Sequence, residues 1–448
     1  MTKVNDAIAA LIEAACVPVD GSHASGQLQE ADAILAAHPE VATANIYTAA
    51  ILGDDAAVKR LVAADPSSAT AKGGPRGWDA LTYLCFSKYL RLDPARSEGL
   101  VRAATVLLDN GASANTGFYA HDHQPPQLES AIYGAAGVAH HPELTLLLLE
   151  RGADPNDAET PYHTPETYDN RAVKVLVDSG KLNQDSLATL LLRKCDWHDY
   201  DGIKLLLESG ADPNRITRWG VAALHQAARR DNWIKIFALL LDHGADPTLL
   251  ADGKSVAGIA ARRGRGDLLE LLEQRGTAVE LEGVERLLAA CAKNDAATVR
   301  VIADSEPDLV RAIVAEGGKL LAEFAGNDNK DGVERLLDLG VEVRAVSKEG
   351  DAYFDVARDS MAIHAAAWRA SHSTVRLLIE RGTPVNQADG KGRTALALAV
   401  RACVDSYWTH KRSPESVAAL LDAGATLNGV VFPSGYSEVD ELLGAHVK

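Results

Sequence analysis

Between about residues 116 and 230 the chain concentrates the side chains that do chemistry. The carboxylates Glu129, Glu166, Asp169 and Asp196 stand there among Tyr, Trp, His and Arg. Two carboxylates at the right separation act as general acid and base, and the aromatic neighbours would suit a sugar-like polar substrate. His198, two residues beyond Asp196, completes the candidate set for a catalytic site. The same stretch also carries the residue types that dominate binding surfaces, where Trp, Tyr and Arg hold most of the energy. Tyr133, Tyr162, Tyr168, Arg193, Trp197, Arg218 and Trp219 are the candidates for contact with a partner, with Trp78 in an earlier segment.

His121 and His123 sit two apart in the loop Gly117 to Pro126, a spacing that can chelate. A zinc site wants three or four ligands, and no cysteine joins this pair. They are therefore read as loop residues available to a ligand, with no metal expected. The chain contains no Gly-x-x-x-x-Gly-Lys-Ser/Thr, His-Glu-x-x-His, Gly-x-Ser-x-Gly or EF-hand loop. No cofactor is expected, and the balance leans away from an enzyme.

The elements that must position these residues are legible in a recurring phrase. An apolar helix ends in Leu-Leu, one or two polar residues follow, and then Gly-Ala-Asp-Pro-Asn or a close variant. It occurs at Leu148 to Asn156, Leu206 to Asn214 and Leu240 to Thr248, with looser copies at Leu107 to Asn115, Gly382 to Asn386 and Gly424 to Asn428. Gly210 to Gly244 spans 34 residues (244 − 210) and Gly244 to Gly276 spans 32 (276 − 244). Each Gly follows a last helical turn, where the chain needs a left-handed residue to stop. The proline that follows prevents the helix from resuming. A shorter helix lies upstream of each phrase, as in Val221 to Arg229, Met361 to Trp368 and Thr394 to Val400.

These units resemble the ankyrin repeat, with its Thr-Pro-Leu-His-x-Ala-Ala helix, its tight turn, its apolar second helix and its Gly-Ala-Asp-Val-Asn end. The resemblance implies an all-α solenoid of roughly eleven or twelve helix-turn-helix units with long hairpin and loop insertions. The expected organisation is degenerate capping helices over 1–44, a repeat array over 45–280, degenerate helical repeats over 281–358, and repeats with a capping helix over 359–448. The stretch near Leu281 is the candidate for a bend or for a division between two sub-arrays. In this family hairpin tips and inner helices line one concave face, so the segments from 116 to 230 should converge there. His225 and His364 match the family's own histidine, which bonds to turn backbone, and His163 in Thr160-Pro161-Tyr162-His163 is read the same way. Pro165 should break that unit's first helix and leave a loop.

The resemblance implies a scaffold that recognises a protein partner. A small polar ligand in the same groove is the alternative. The net charge of −17 disfavours nucleic acid and anionic membrane surfaces, which both attract a Lys/Arg surplus. Five scattered cysteines without a Cys-x-x-Cys pair and no signal-peptide pattern suggest a cytoplasmic location.

Overall fold

The computed structural model describes residues 2–121, 125–277 and 280–446. The chain forms two compact units, one of residues 1–230 with 239–245, the other of 231–238 with 246–448. The expected division near Leu281 is not there: that stretch lies inside the second unit, and the boundary falls between residues 230 and 246.

In the first unit, helices Thr2–Ala15 and Gln29–Ala37 precede a series of helix pairs. The pairs are Ile46–Leu52 with Asp55–Ala64, Ala80–Cys85 with Ser97–Asp109, Ala131–Tyr133 with Pro142–Glu150, Thr160–His163 with Arg171–Asp178, and Gln184–Asp196 with Tyr200–Glu208. Helix starts are set by side chains that satisfy the first backbone N–H groups. Asn45 and Thr48 form a reciprocal capping box, and Asp54, Asp79, Asn183 and Asp199 each accept from a first-turn N–H. The stop after Tyr200–Glu208 is Gly210 with φ +88°, the left-handed residue that the repeated phrase requires. Small residues let inner helices approach. A Cβ on Gly134 would lie 2.7 Å from the Cys85 carbonyl oxygen, so any larger residue would force two repeats apart.

An antiparallel hairpin, Gly117–Ala120 with Gln127–Ser130, inserts between two of these pairs. Phe118 faces Glu129 across the strands, so the period of two turns both inward while Tyr119 is exposed. Phe118 stacks on Trp78 at 4.3 Å and meets Phe86 edge-on at 4.9 Å. This overturns the expectation for Trp78. It is buried, because the insertion folds back to give its ring a core to fill. Each such ring pair contributes about 0.5–1.5 kcal/mol beyond area burial.

The second unit repeats the plan with Val256–Arg262 and Gly266–Gln274, Gly283–Ala292 and Ala296–Ser305, Gly317–Gly326 and Lys330–Asp338, Ala362–Trp368 and His372–Glu380, and Ala395–Val404 and Glu415–Asp422. Pro307–Ala315 is an added helix, and Ser437–His446 is the last helix among the described residues. Two short hairpins, Leu250–Ala251 with Lys254–Ser255 and Val346–Ser347 with Ser360–Met361, edge the repeats. His364 bonds to backbone, as the sequence resemblance implies: Nδ1 accepts the Met361 N–H at 3.0 Å and Nε2 donates to the Gln387 carbonyl at 2.9 Å.

A charged cluster sits inside this unit. Asp231 is fully buried and accepts two hydrogen bonds from Arg263, both 2.6 Å, and one from Arg369 at 2.8 Å. Arg369 in turn lies 4.1 Å over the Phe354 ring. Burial opposes the Asp231 charge, but the facing arginines outweigh it and hold the carboxyl well below its usual range. Among the described residues no helix is long and apolar enough to cross a membrane.

Candidate ligand pocket of the first unit

The broken repeat that begins at Thr160 makes the site. Asp157 accepts the Thr160 N–H at 2.6 Å and the Ser130 hydroxyl, which ties this segment to the hairpin. The helix runs only from Thr160 to His163, and Pro165 follows within the turn that replaces its continuation. With its second turn missing, the segment leaves Glu159, Tyr162, His163 and Glu166 around a cavity of about 490 Å³. Glu129 comes from the hairpin and Tyr133 from the short helix it leads into. Arg218 and Trp219 come from the turn before helix Ala223–Arg229. Gly21 to Ala24, in the N-terminal loop between helices, supply the remaining wall together with Gln127, Gly137 and Val138.

The charges are ordered in a chain. His163 Nε2 lies 3.0 Å from Glu159 and Nδ1 lies 3.1 Å from Glu166, so both ring nitrogens face carboxylates. Burial disfavours the imidazolium, yet the hydrogen bonds from these two glutamates prevail and raise its pKa to about 9. Burial likewise pushes the Glu166 carboxyl up, but His163 and Arg193 bring it below its ordinary value. Arg193 donates to Glu166 and Asp196 and lies 4.2 Å over the Tyr162 ring. Asp196 also accepts from Gln226 at 2.5 Å and Arg230 at 2.7 Å.

At the inner end, His23 Nε2 is 3.3 Å from the Val19 carbonyl, which can only accept, so this nitrogen carries a proton. His23 Nδ1 is 2.9 Å from the Tyr133 hydroxyl and 3.7 Å from Glu129 Oε2. Glu129 is 2% exposed. Burial, reinforced by Glu129 and its acidic neighbours, pushes the Tyr133 phenol far up, so it stays a neutral hydrogen-bonding group.

Of the residues singled out in the sequence, Glu129, Tyr133, Tyr162, Glu166, Arg218 and Trp219 line the cavity. Arg193 and Asp196 stand behind its wall as supports. The other described candidates lie elsewhere. Tyr168 is exposed and meets Trp197 edge-on at 5.7 Å, away from the cavity lining. Asp169 is bound by Arg171 at 2.6 Å on the surface. His198 occupies the turn between two helices at φ +52°. His121 is exposed, with its backbone N–H on Asp20 at 3.2 Å, and His123 lies outside the described residues.

Two corrections follow for the histidines and the N-terminus. His163 is no turn-bonding repeat histidine, because loss of the helix leaves its ring between two glutamates at the cavity. Residues 21–24 are more than a cap. Their sequence carries no signal for this role, since Tyr133, the hydrogen-bond partner of His23, is 110 positions away. Glu159 was legible only in hindsight, as the residue one turn before His163. Among the described residues no group of three or more His, Cys, Asp or Glu is arranged to hold a metal ion.

Residues 191–283 match the family pattern "Ankyrin repeats (3 copies)". The human transient receptor potential cation channel subfamily A member 1 is 23% identical over 284 residues, 58% of this chain. The match spans 24% of that protein's length. The crystal structure of the human ASB11 ankyrin repeat domain is 20% identical, with 59% of this chain and 98% of that chain covered at a TM-score of 0.26. Residues 191–283 thus carry the ankyrin-repeat pattern, and helix pairs with left-handed glycine stops recur outside that stretch as well.

Proposed function

We propose that the chain is an interaction scaffold that holds a protein partner by a side chain seated in the cavity of the first unit. Ankyrin repeats mediate protein–protein interaction, and the carrying observation here is a repeat that has given up its first helix to open a 490 Å³ cavity rimmed by Trp219 and Arg218. Trp219 is 37% exposed at that rim, with Arg218 4.4 Å over its ring and Tyr162 5.5 Å away. A large aromatic held at a pocket mouth by an arginine is the kind of group that anchors an interface. Nucleic acid and anionic membranes are not expected partners of so acidic a chain.

The test is affinity capture from native extract with quantitative readout, using wild type, Trp219→Ala and Trp197→Ala. A partner enriched by wild type and by Trp197→Ala, and lost with Trp219→Ala while that variant stays folded, supports the reading. Undiminished capture by folded Trp219→Ala contradicts it. A second reading, a small polar ligand in the same cavity, is favoured by the cavity's volume, which falls within the roughly 300–1,000 Å³ of small-molecule sites.

A further inference from the structure

The asparagine that ends the repeated phrase has a recurring task. In the first unit Asn115 Nδ2 donates to the Gly152 carbonyl at 3.0 Å while its Oδ1 accepts the Asp154 N–H at 2.9 Å. Asn156 holds the Lys181 carbonyl and the Asn183 N–H in the same way, at 2.9 and 2.8 Å. In the second unit Asn386 does so with the Gly424 carbonyl and the Thr426 N–H, at 2.9 and 2.7 Å. Each of these amides joins its own loop to the next one. Asn428 stands at the same place in the phrase Gly424 to Asn428, and it is exposed. Among the described residues its side chain makes no hydrogen bond.

Gly429 follows Asn428. An asparagine before a glycine carries its own reaction partner, because the next backbone nitrogen reaches the side-chain amide carbon most easily when no Cβ stands in the way. The Val430 N–H closes the turn on the Leu427 carbonyl at 3.1 Å, and the Gly429 N–H has no acceptor among the described residues. Gly429 sits at φ +73°, and the space that a Cβ there would enter is empty. Neither group gives up a hydrogen bond before reacting.

The chain holds one other Asn-Gly pair, Asn110-Gly111, and it is tied down. Asn110 Nδ2 donates to the Val106 carbonyl at 2.8 Å, and the Gly111 N–H donates to the Leu108 carbonyl at 3.2 Å. These bonds cap the end of helix Ser97–Asp109. Both must break before the nitrogen turns to the amide carbon, and the loss of two ordinary hydrogen bonds slows the reaction by about tenfold or more.

We propose that Asn428 is a site of spontaneous deamidation in the folded chain, and that Asn110 is protected from it. The Gly429 nitrogen loses its proton and bonds to the Asn428 Cγ. The bond from Cγ to the amide nitrogen breaks, and ammonia leaves with that proton. Water then opens the resulting succinimide at either carbonyl, which gives aspartate or isoaspartate. One water enters, one ammonia leaves, and no oxidant is needed. The product adds a carboxylate to the turn, and the isoaspartyl form lengthens the backbone ahead of helix Ser437–His446.

The experiment incubates the purified full chain in heavy-oxygen water at neutral and mildly alkaline pH, folded in one sample and unfolded in guanidinium in another. Digestion and mass spectrometry then separate the Asn, Asp and isoaspartyl forms of the peptides that hold residues 110 and 428. The expected result for the folded chain is conversion at 428 with heavy oxygen incorporated and the isoaspartyl form in excess. That conversion should outpace the one at 110 by about tenfold or more, and should be faster at the higher pH because the attacking nitrogen must lose its proton. In guanidinium the two peptides should convert at similar rates. Asn428 left intact in the folded chain overturns the proposal. Equal rates at 110 and 428 in the folded chain would overturn the protection of Asn110, and aspartate without isoaspartate would overturn the succinimide route.

Discussion

The two units each place carboxylates and cations inside the protein, with opposite outcomes. In the second unit, Asp231 is closed over by Arg263 and Arg369, and the void beside Phe354 and Arg369 is only about 20 Å³. In the first, Glu159, His163 and Glu166 satisfy one another along the wall of a cavity of about 490 Å³. Similar ingredients therefore serve different ends. Where arginine forks saturate the carboxylate and aromatic rings fill the remaining space, the cluster is part of the core. Where a helix turn is missing, the same kinds of group pair with one another and are left facing an opening.

The largest effect should come from the closed cluster. Asp231→Ala leaves two buried arginines without their shared carboxylate and should destabilise the second unit by about 3–5 kcal/mol, read as a lower denaturant midpoint and faster hydrogen exchange over 256–274 and 362–368. Because the Asp231 carboxyl titrates below its usual value in the folded chain, its contribution is whole above about pH 4 and fades as pH falls below that. An unchanged midpoint for the variant would mean that the cluster is not a keystone.

Next is the aromatic insertion. Trp78→Ala should lower the stability of the first unit by about 3 kcal/mol, measured by urea unfolding, because it empties the stack against Phe118 and Phe86. A loss under about 1 kcal/mol would return Trp78 to the surface role that its sequence position suggests.

The open cluster should respond to base. His163 has its pKa raised to about 9 from 6.5, so its stabilising charge is fully present below pH 6.5 and is lost as pH rises through about 9. The first unit should lose roughly 3 kcal/mol across that window, and His163→Gln should remove the dependence. A flat stability profile from pH 6.5 to 9.5 would contradict the Glu159–His163–Glu166 arrangement.

The smallest effect belongs to Trp197→Ala. Its ring meets exposed Tyr168 away from the cavity lining, so stability should change by under about 1 kcal/mol and partner capture should hold.

The repeat units were legible because their signals are local. Gly210 stops a helix and Asn183 starts one wherever they occur, and the helix Ser437–His446 falls on the stretch read as a cap. Much of the cavity was legible too, because Pro165 breaks a helix by its own geometry and the Tyr, Glu, Arg and Trp around it are unusual for the repeat. What could not be read depends on chain folding over long separations. Trp78 looks like a rim residue until Phe118, 40 positions on, arrives to cover it (118 − 78). His23 gains meaning only from Tyr133 and Glu129. Aromatic type alone could not separate Trp219 from Trp197, since both occupy turns and only their surroundings differ.

The most direct test of the contrast measures melting and partner capture side by side for Trp219→Ala and Asp231→Asn. The account predicts a crossed result: Trp219→Ala melts within a few degrees of wild type and loses capture, whereas Asp231→Asn melts markedly lower and still captures at temperatures where it is folded. A Trp219→Ala variant that captures normally, or an Asp231→Asn variant that melts like wild type, would contradict the division of these two clusters into an open site and a closed core.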